Sequence, residues 1–141
     1  MHYFIFPEKD TTIFEASSSL NSGLDEVLEI RKNVSDTGAS VDVSRILIKF
    51  DTTFFQEASS SGLIPQTGSR AAKYYLNLYD ANPKALAASQ SLYAYAISGS
   101  WDMGTGRSYD NPQTSDGCSW KYRYSETNGT LWASGSGAED G

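Results

Sequence analysis

The chain is poor in the residues from which most catalytic centres are built. Its 141 residues include one cysteine, Cys118, and one histidine, His2. A single cysteine excludes an intrachain disulfide, and it reads as a small packed side chain rather than a reactive thiol. A single histidine disfavours a histidine-based zinc site or a Ser-His-Asp triad. Positive charge is also sparse: 11 Lys and Arg against 17 Asp and Glu leave a net charge of −6. The densest basic stretch is "KYR", Lys121–Arg123. Phosphate contact needs concentrated positive charge, so nucleic acid is not an expected partner. An anionic membrane surface is not expected either. Long apolar runs are missing. The opening "MHYFIFPEKD" has no positive n-region, and its apolar run is too short for a signal or membrane helix. The expectation is a chain made and folded in a reducing cytoplasm.

What is present favours strands and turns. Apolar residues make up 39% and charged residues 20%, enough to bury a core. Gly, Ser, Thr, Tyr and Phe are plentiful, and Leu and Ala do not dominate. "HYFIF" reads as a short strand stopped by Pro7, and "DTTIFEA" follows with β-branched Thr11, Thr12 and Ile13. "SSSLNSGLD" is loop chemistry. In "EVLEIRK", Leu28 and Ile30 alternate with Glu29 and Arg31. "NVSDTGASVD" reads as a long hairpin connection with Asp36 and Gly38 as turn residues. In "VSRILIKFD", the pattern sends Ile46, Ile48 and Phe50 to one face and Arg45 and Lys49 to the other.

One segment reads as helical. In "TTFFQEASSSGLIP", Thr53 and Gln56 have capping-box spacing, Gly62 suits the end of the turn and Pro65 blocks continuation. "AAKYYLNLYDA" and "SLYAYAIS" alternate again, "CSWKYRY" reads as a further strand, and "SETNGT" carries an Asn-Gly hairpin signal before "LWAS". The expected fold is all-β: a jelly-roll-like antiparallel β-sandwich of about eight short strands with one short helix near residues 52–60. A single domain over 1–134 is expected. Residues 135–141, "GSGAEDG", read as a flexible tail or the start of a C-terminal continuation.

The chemistry-bearing patterns are few. Asp10, Glu15, Asp25, Glu26, Asp42 and Asp51 fall at strand ends or loop edges. They read first as solvated groups and turn caps. Loops at one end of a sandwich also gather oxygen ligands, so a structural calcium ion is the one cofactor left open. No run resembles an EF-hand loop. No carboxylate pair has a separation that the sequence defines, as a glycosidase would need. "GSWDMGTG" opens as G-x-x-x-x-G, but no Lys-Ser/Thr and no helix follow, so it is not a phosphate loop. Aromatics say more. Tyr75, Tyr79, Tyr93 and Tyr95 sit on matching faces of two expected strands; Trp101, Tyr109, Trp120, Tyr122 and Tyr124 follow. Such rows stack on sugar rings, anchor a protein interface, or form the second half of a sandwich core.

Four stretches in order, "DTTIFEASSSLNSGLDEVLEIRK", "SRILIKFD", "AAKYYLNLYDA" and "SGSWDMGTGR…NPQTSDGCSW", resemble the DNRLRE-type, disaggregatase-related β-sandwich domain. The likeness runs from about Asp10 to Trp120 and is most specific in "SRILIKFD" and the Trp-Gly loop. It implies a jelly roll related to carbohydrate-binding modules. Such domains occur in secreted polysaccharide-active proteins and in virion structural proteins of tailed phages. Two features depart from the family: the opening has no signal peptide, and family domains usually continue past this loop. The opening itself resembles virion proteins of marine, cyanophage-like tailed phages. The expected function is therefore a non-enzymatic virion component of a tail, baseplate, fibre base or capsid decoration, made in the host cytoplasm. Its expected partners are other virion proteins and copies of itself. The alternative is a carbohydrate-binding module for a cell-surface or extracellular polysaccharide. Tyr75, Tyr79, Tyr93, Tyr95, Trp101, Arg107 and Tyr109 are the candidate ligand or partner contacts.

Overall fold

A computed structural model describes residues 4–34, 38, 41–81 and 91–132. The chain divides into two compact units, Pro7–Lys49 with Ala94–Gly141, and Met1–Phe6 with Phe50–Tyr93. The elements run β1 (Pro7–Phe14), a 3₁₀ turn (Glu15–Ser17), β2 (Lys32–Val34), β3 (Val41–Phe50) and α1 (Thr53–Ser60). No helix among the described residues is long and apolar enough to cross a membrane.

In the first unit, the β-branched run Thr11–Ile13 favours the extended chain that β1 adopts. The sheet is antiparallel with the order β1-β3-β2. The hairpin expected around Gly38 is present: β2 pairs with β3 through Lys32↔Val43, Asn33↔Asp42 and Val34↔Val41. Gly38 has φ 68°, a left-handed value that suits glycine. Asp36 lies outside the described residues.

The side-chain register of β3 differs from the expected one. Leu47 is buried, and Val43 packs beside it against Ile13, Trp101, Cys118, Trp120 and Trp132. These odd-numbered positions share their face with Arg45 and Lys49, so the cation-bearing face is the one turned to the core. Two contacts make this tolerable. The Arg45 guanidinium lies 4.7 Å from the Trp120 ring centroid, and Lys49 reaches Glu8 at 3.0 Å. Long cationic side chains cover apolar surface with their stems and hold their charge at the rim. Ile46 and Ile48 are only half-buried.

The strand count is also lower than expected. The described residues form three strands and one isolated antiparallel bridge, Tyr122↔Leu131, and no jelly roll is established. The segment 26–31 runs beside the sheet; Ser44 N donates to Arg31 O at 3.0 Å, and side-chain hydroxyls supply further bonds. Glu29 N donates to Thr12 Oγ1 (3.0 Å), Ser44 Oγ donates to Glu29 O (2.7 Å), and Arg31 N donates to Ser44 Oγ (2.9 Å). Residues 4–6, 71–81 and 91–98 belong to no strand, although "HYFIF", "AAKYYLNLYDA" and "SLYAYAIS" were expected as strands. Alternation favours a strand only when one face is buried. Here Tyr74, Leu76 and Leu78 are exposed, and so are Tyr75 and Tyr79 on the opposite parity. The "SETNGT" turn does reverse the chain: Gly129 N donates to Ser125 O, Arg123 N donates to Thr130 O, and Gly129 has φ 70°. Ala133, Ser134 and the expected tail 135–141 lie outside the described residues.

In the second unit, α1 occupies the expected span. Its start differs from the expected capping box. No side-chain cap bond is made at Thr52, and Asp51 Oδ1 accepts from Thr53 N at 2.8 Å instead. Its end follows the expected signals. Leu63 N donates to Ala58 O (2.9 Å) and Gly62 N to Ser59 O (3.0 Å), with Gly62 at φ 74°. These paired bonds satisfy carbonyls that the last turn leaves open.

Candidate functional site

The Gly-rich stretch 99–117 is organised by a residue far away in sequence. Asn21 is fully buried. Its Nδ2 donates to Met103 O (2.7 Å) and Cys118 O (2.9 Å), and its Oδ1 accepts from Gly106 N (2.8 Å). Its own backbone N donates to Thr114 O (3.2 Å). One asparagine thus ties together Met103, Gly106 and Thr114 of the loop and Cys118 just beyond it. Glycine is needed where the loop closes on it. A Cβ at Gly117 would stand 2.5 Å from both Asn21 Nδ2 and Gly104 Cα, and one at Gly104 would stand 2.5 Å from Asn21 Oδ1. Asn21 had read as loop chemistry. Nothing local in "SSSLNSGLD" signals partners more than 80 residues away.

Trp101 and Trp120 flank this loop and are buried, as are Cys118 and Trp132. Trp132 Nε1 donates to Ser119 O at 2.8 Å, which satisfies the indole. The Lys9 ammonium lies 4.6 Å from the Trp101 ring centroid and donates to Trp101 O. Trp101 is only 4% exposed, so it packs the core and presents no ring face for stacking.

Arg107 and Tyr109 remain at the surface as a pair. Arg107 Nη1 donates to Tyr109 Oη at 2.7 Å, and the guanidinium carbon lies 5.9 Å from the ring centroid. The loop tip beneath them is held by carboxylates. Asp110 Oδ2 accepts from Arg107 N (2.9 Å), and Asp25 Oδ1 accepts from Ser108 N (3.0 Å). The Asn111–Pro112 peptide is cis. Tyr95 is exposed in this same unit, whereas Tyr75, Tyr79 and Tyr93 belong to the unit that carries α1. The seven candidate contacts are therefore not one cluster within either unit.

No protein-family model, curated protein or solved structure matches the chain. The functional reading rests on the residues themselves.

Several carboxylates expected at loop edges serve as backbone caps. Besides Asp25 and Asp51, Glu15 Oε2 accepts from Val43 N (3.1 Å) and Asp42 Oδ1 from Ala16 N (3.3 Å). Among the described residues, no group of three or more His, Cys, Asp or Glu is placed to hold a metal ion. Asp116 feels opposing forces. Partial burial acts to raise its pKa, but bonds from Thr105 Oγ1 (2.6 Å) and Thr105 N (2.9 Å) help hold it below the ordinary carboxylate value. Desolvation pushes the Cys118 thiol up to about 12, so it is neutral and unreactive at neutral pH. The Tyr109 hydroxyl bond, with the nearby charges of Glu26 and Asp110, raises the Arg107 pKa further.

Proposed function

We propose that the protein is a non-enzymatic virion structural component of a tailed bacteriophage, in a tail, baseplate, fibre base or capsid decoration. It would be made in the host cytoplasm and would associate with copies of itself and with other virion proteins. The observation that carries this reading is the exposure of tyrosines in two segments that belong to no strand, 71–81 and 91–98. They place Tyr75 at 76%, Tyr79 at 92%, Tyr93 at 78% and Tyr95 at 81% exposure, with Leu76, Leu78 and Leu92 also exposed. Isolated exposed apolar side chains are ordinary on protein surfaces, but this many within two short segments mark an interaction surface. Tyrosine supplies a large contact area at a low entropic cost. On this reading, the jelly-roll-like sandwich is completed when these segments pair in the assembly.

The likeness of "SRILIKFD" and the Trp-Gly loop to the DNRLRE-type domain supports the same reading. The test is electron microscopy and sedimentation of the purified chain. Ordered higher-order particles are expected, and they should be lost when Tyr79 and Tyr95 are replaced by serine. Turnover of a polysaccharide by the purified protein would overturn the non-enzymatic assignment.

A further inference from the structure

We propose that Asn128 is a self-modification site, where the side-chain amide is lost as ammonia through a cyclic imide formed with Gly129. The inference goes beyond assembly and does not depend on it. Both residues are exposed, in the turn that leads into the Tyr122↔Leu131 bridge. Gly129 has φ 70°, and nothing stands within 4 Å of where a Cβ on it would lie. Its backbone nitrogen therefore approaches the neighbouring side chain without steric hindrance. The Thr130 hydroxyl donates to Asn128 Oδ1. That bond polarises the side-chain carbonyl and stands where negative charge grows on the oxygen as the nitrogen attacks.

The step needs only water. The Gly129 nitrogen gives its proton to water or hydroxide and bonds to Asn128 Cγ. The Cγ–Nδ2 bond then breaks, and Nδ2 takes a proton from water and leaves as ammonia. Water next adds to either carbonyl of the imide and breaks its bond to nitrogen. Opening at Cγ gives aspartate; opening at the backbone carbonyl gives isoaspartate, with the main chain routed through the side chain. The Gly129 N–H donates to Ser125 O at 3.1 Å, so this bond must open first. It is a surface turn bond, of the kind that opens without global unfolding. Isoaspartate lengthens the main chain just before Thr130, whose carbonyl accepts from Arg123 N at 2.9 Å, so the product disturbs the return toward Trp132.

The structure separates Asn128 from the other described asparagines. Asn21 is buried, with its amide bonded to Met103 O, Cys118 O and Gly106 N. Asn33 is held in the β2–β3 ladder opposite Asp42 and precedes β-branched Val34. Asn77 is exposed, but the Leu78 side chain crowds the attacking nitrogen. Asn111 precedes Pro112, which has no N–H to lose. The same comparison excludes Asp116–Gly117, the acidic counterpart of the pair. Thr105 donates two bonds to the Asp116 carboxylate, which favour its ionised form, and an ionised carboxylate is a poor electrophile. Gly117 is buried against Asn21 and Gly104.

The test ages the purified full chain in warm, mildly alkaline buffer and maps it by mass spectrometry. Electron-transfer fragmentation distinguishes aspartate from isoaspartate. Asn128 should convert before Asn21, Asn33, Asn77 or Asn111, and both products should appear. Thr130→Val removes the hydroxyl at nearly constant shape and should slow conversion about three-fold to ten-fold. Thr130→Ser keeps the hydroxyl and should convert at about the parent rate. A turn merely loosened by substitution would free the Gly129 N–H and convert faster, so slowing reports loss of the donor. The proposal is overturned if one of the other four asparagines converts first, if aspartate forms without isoaspartate, or if Thr130→Val converts as fast as the parent. The ranking within the parent chain decides the matter even if Thr130→Val does not fold.

Discussion

At the scale of single residues, Asn21 does the most to define the surface loop. Its amide uses both donors on carbonyls and its oxygen on a loop N–H, all inside the unit. Asn21→Ala would strand Met103 O, Cys118 O and Gly106 N without replacing their partners. Each unsatisfied buried group costs about 1–3 kcal/mol, so a loss of about 3 kcal/mol or more is expected in urea unfolding. Asn21→Asp should be no better, because its oxygens would face two carbonyls. A loss within about 0.5 kcal/mol would mean that the loop holds itself.

Cys118 gives a second check at this scale. Its folded pKa of about 12 lies above its ordinary value of 9.0. The thiol is neutral in both states below about 9, so its contribution to stability is intact there. As pH rises from about 9 to about 12, the unfolded state loses its proton first, and stability should fall. The same burial predicts that Ellman's reagent labels the thiol only after denaturation. Rapid native labelling at pH 8 would contradict the buried assignment.

At the scale of elements, β3 shows what the sequence does and does not specify. Its existence and span follow from β-branched residues and alternation. Its orientation depends on what the other segments bring. The tryptophans 101, 120 and 132 cover the Val43–Leu47 face, and one of them accepts the Arg45 guanidinium. Charge alternation alone points the other way, since it treats arginine as a solvent residue. Leu47→Ala should therefore cost about 2–5 kcal/mol, and Ile46→Ala distinctly less, in matched denaturant titrations. Equal losses, or a larger loss at Ile46, would restore the opposite register. The helix was legible because its stop signals are local: Gly62 and Pro65 lie within five residues of Ser60. Alternation at 71–81 and 91–98 does not suffice for a strand. A ladder also needs a partner strand and a buried face: Tyr74 to Tyr79 are exposed on both parities, and in 91–98 Ile97 packs against the core while Leu92, Tyr93 and Tyr95 are exposed. The candidate contacts divided in the same way. Tyr75, Tyr79, Tyr93, Tyr95 and Tyr109 are surface residues, whereas Trp101 belongs to the core.

At the scale of the whole molecule, the tyrosine segments 71–81 and 91–98 are the proposed association surfaces. The acidic balance, −6 over the chain, would limit indiscriminate self-adhesion while these patches remain exposed. The most direct measurement is hydrogen exchange across a concentration series, with particle size followed by sedimentation in the same samples. Backbone amides of 73–78 and 91–97 should gain protection as larger particles form. The Tyr79→Ser, Tyr95→Ser variant should show neither particles nor added protection. A chain that stays monomeric at every concentration, or particles in which the 73–78 and 91–97 amides gain no protection, would contradict this reading.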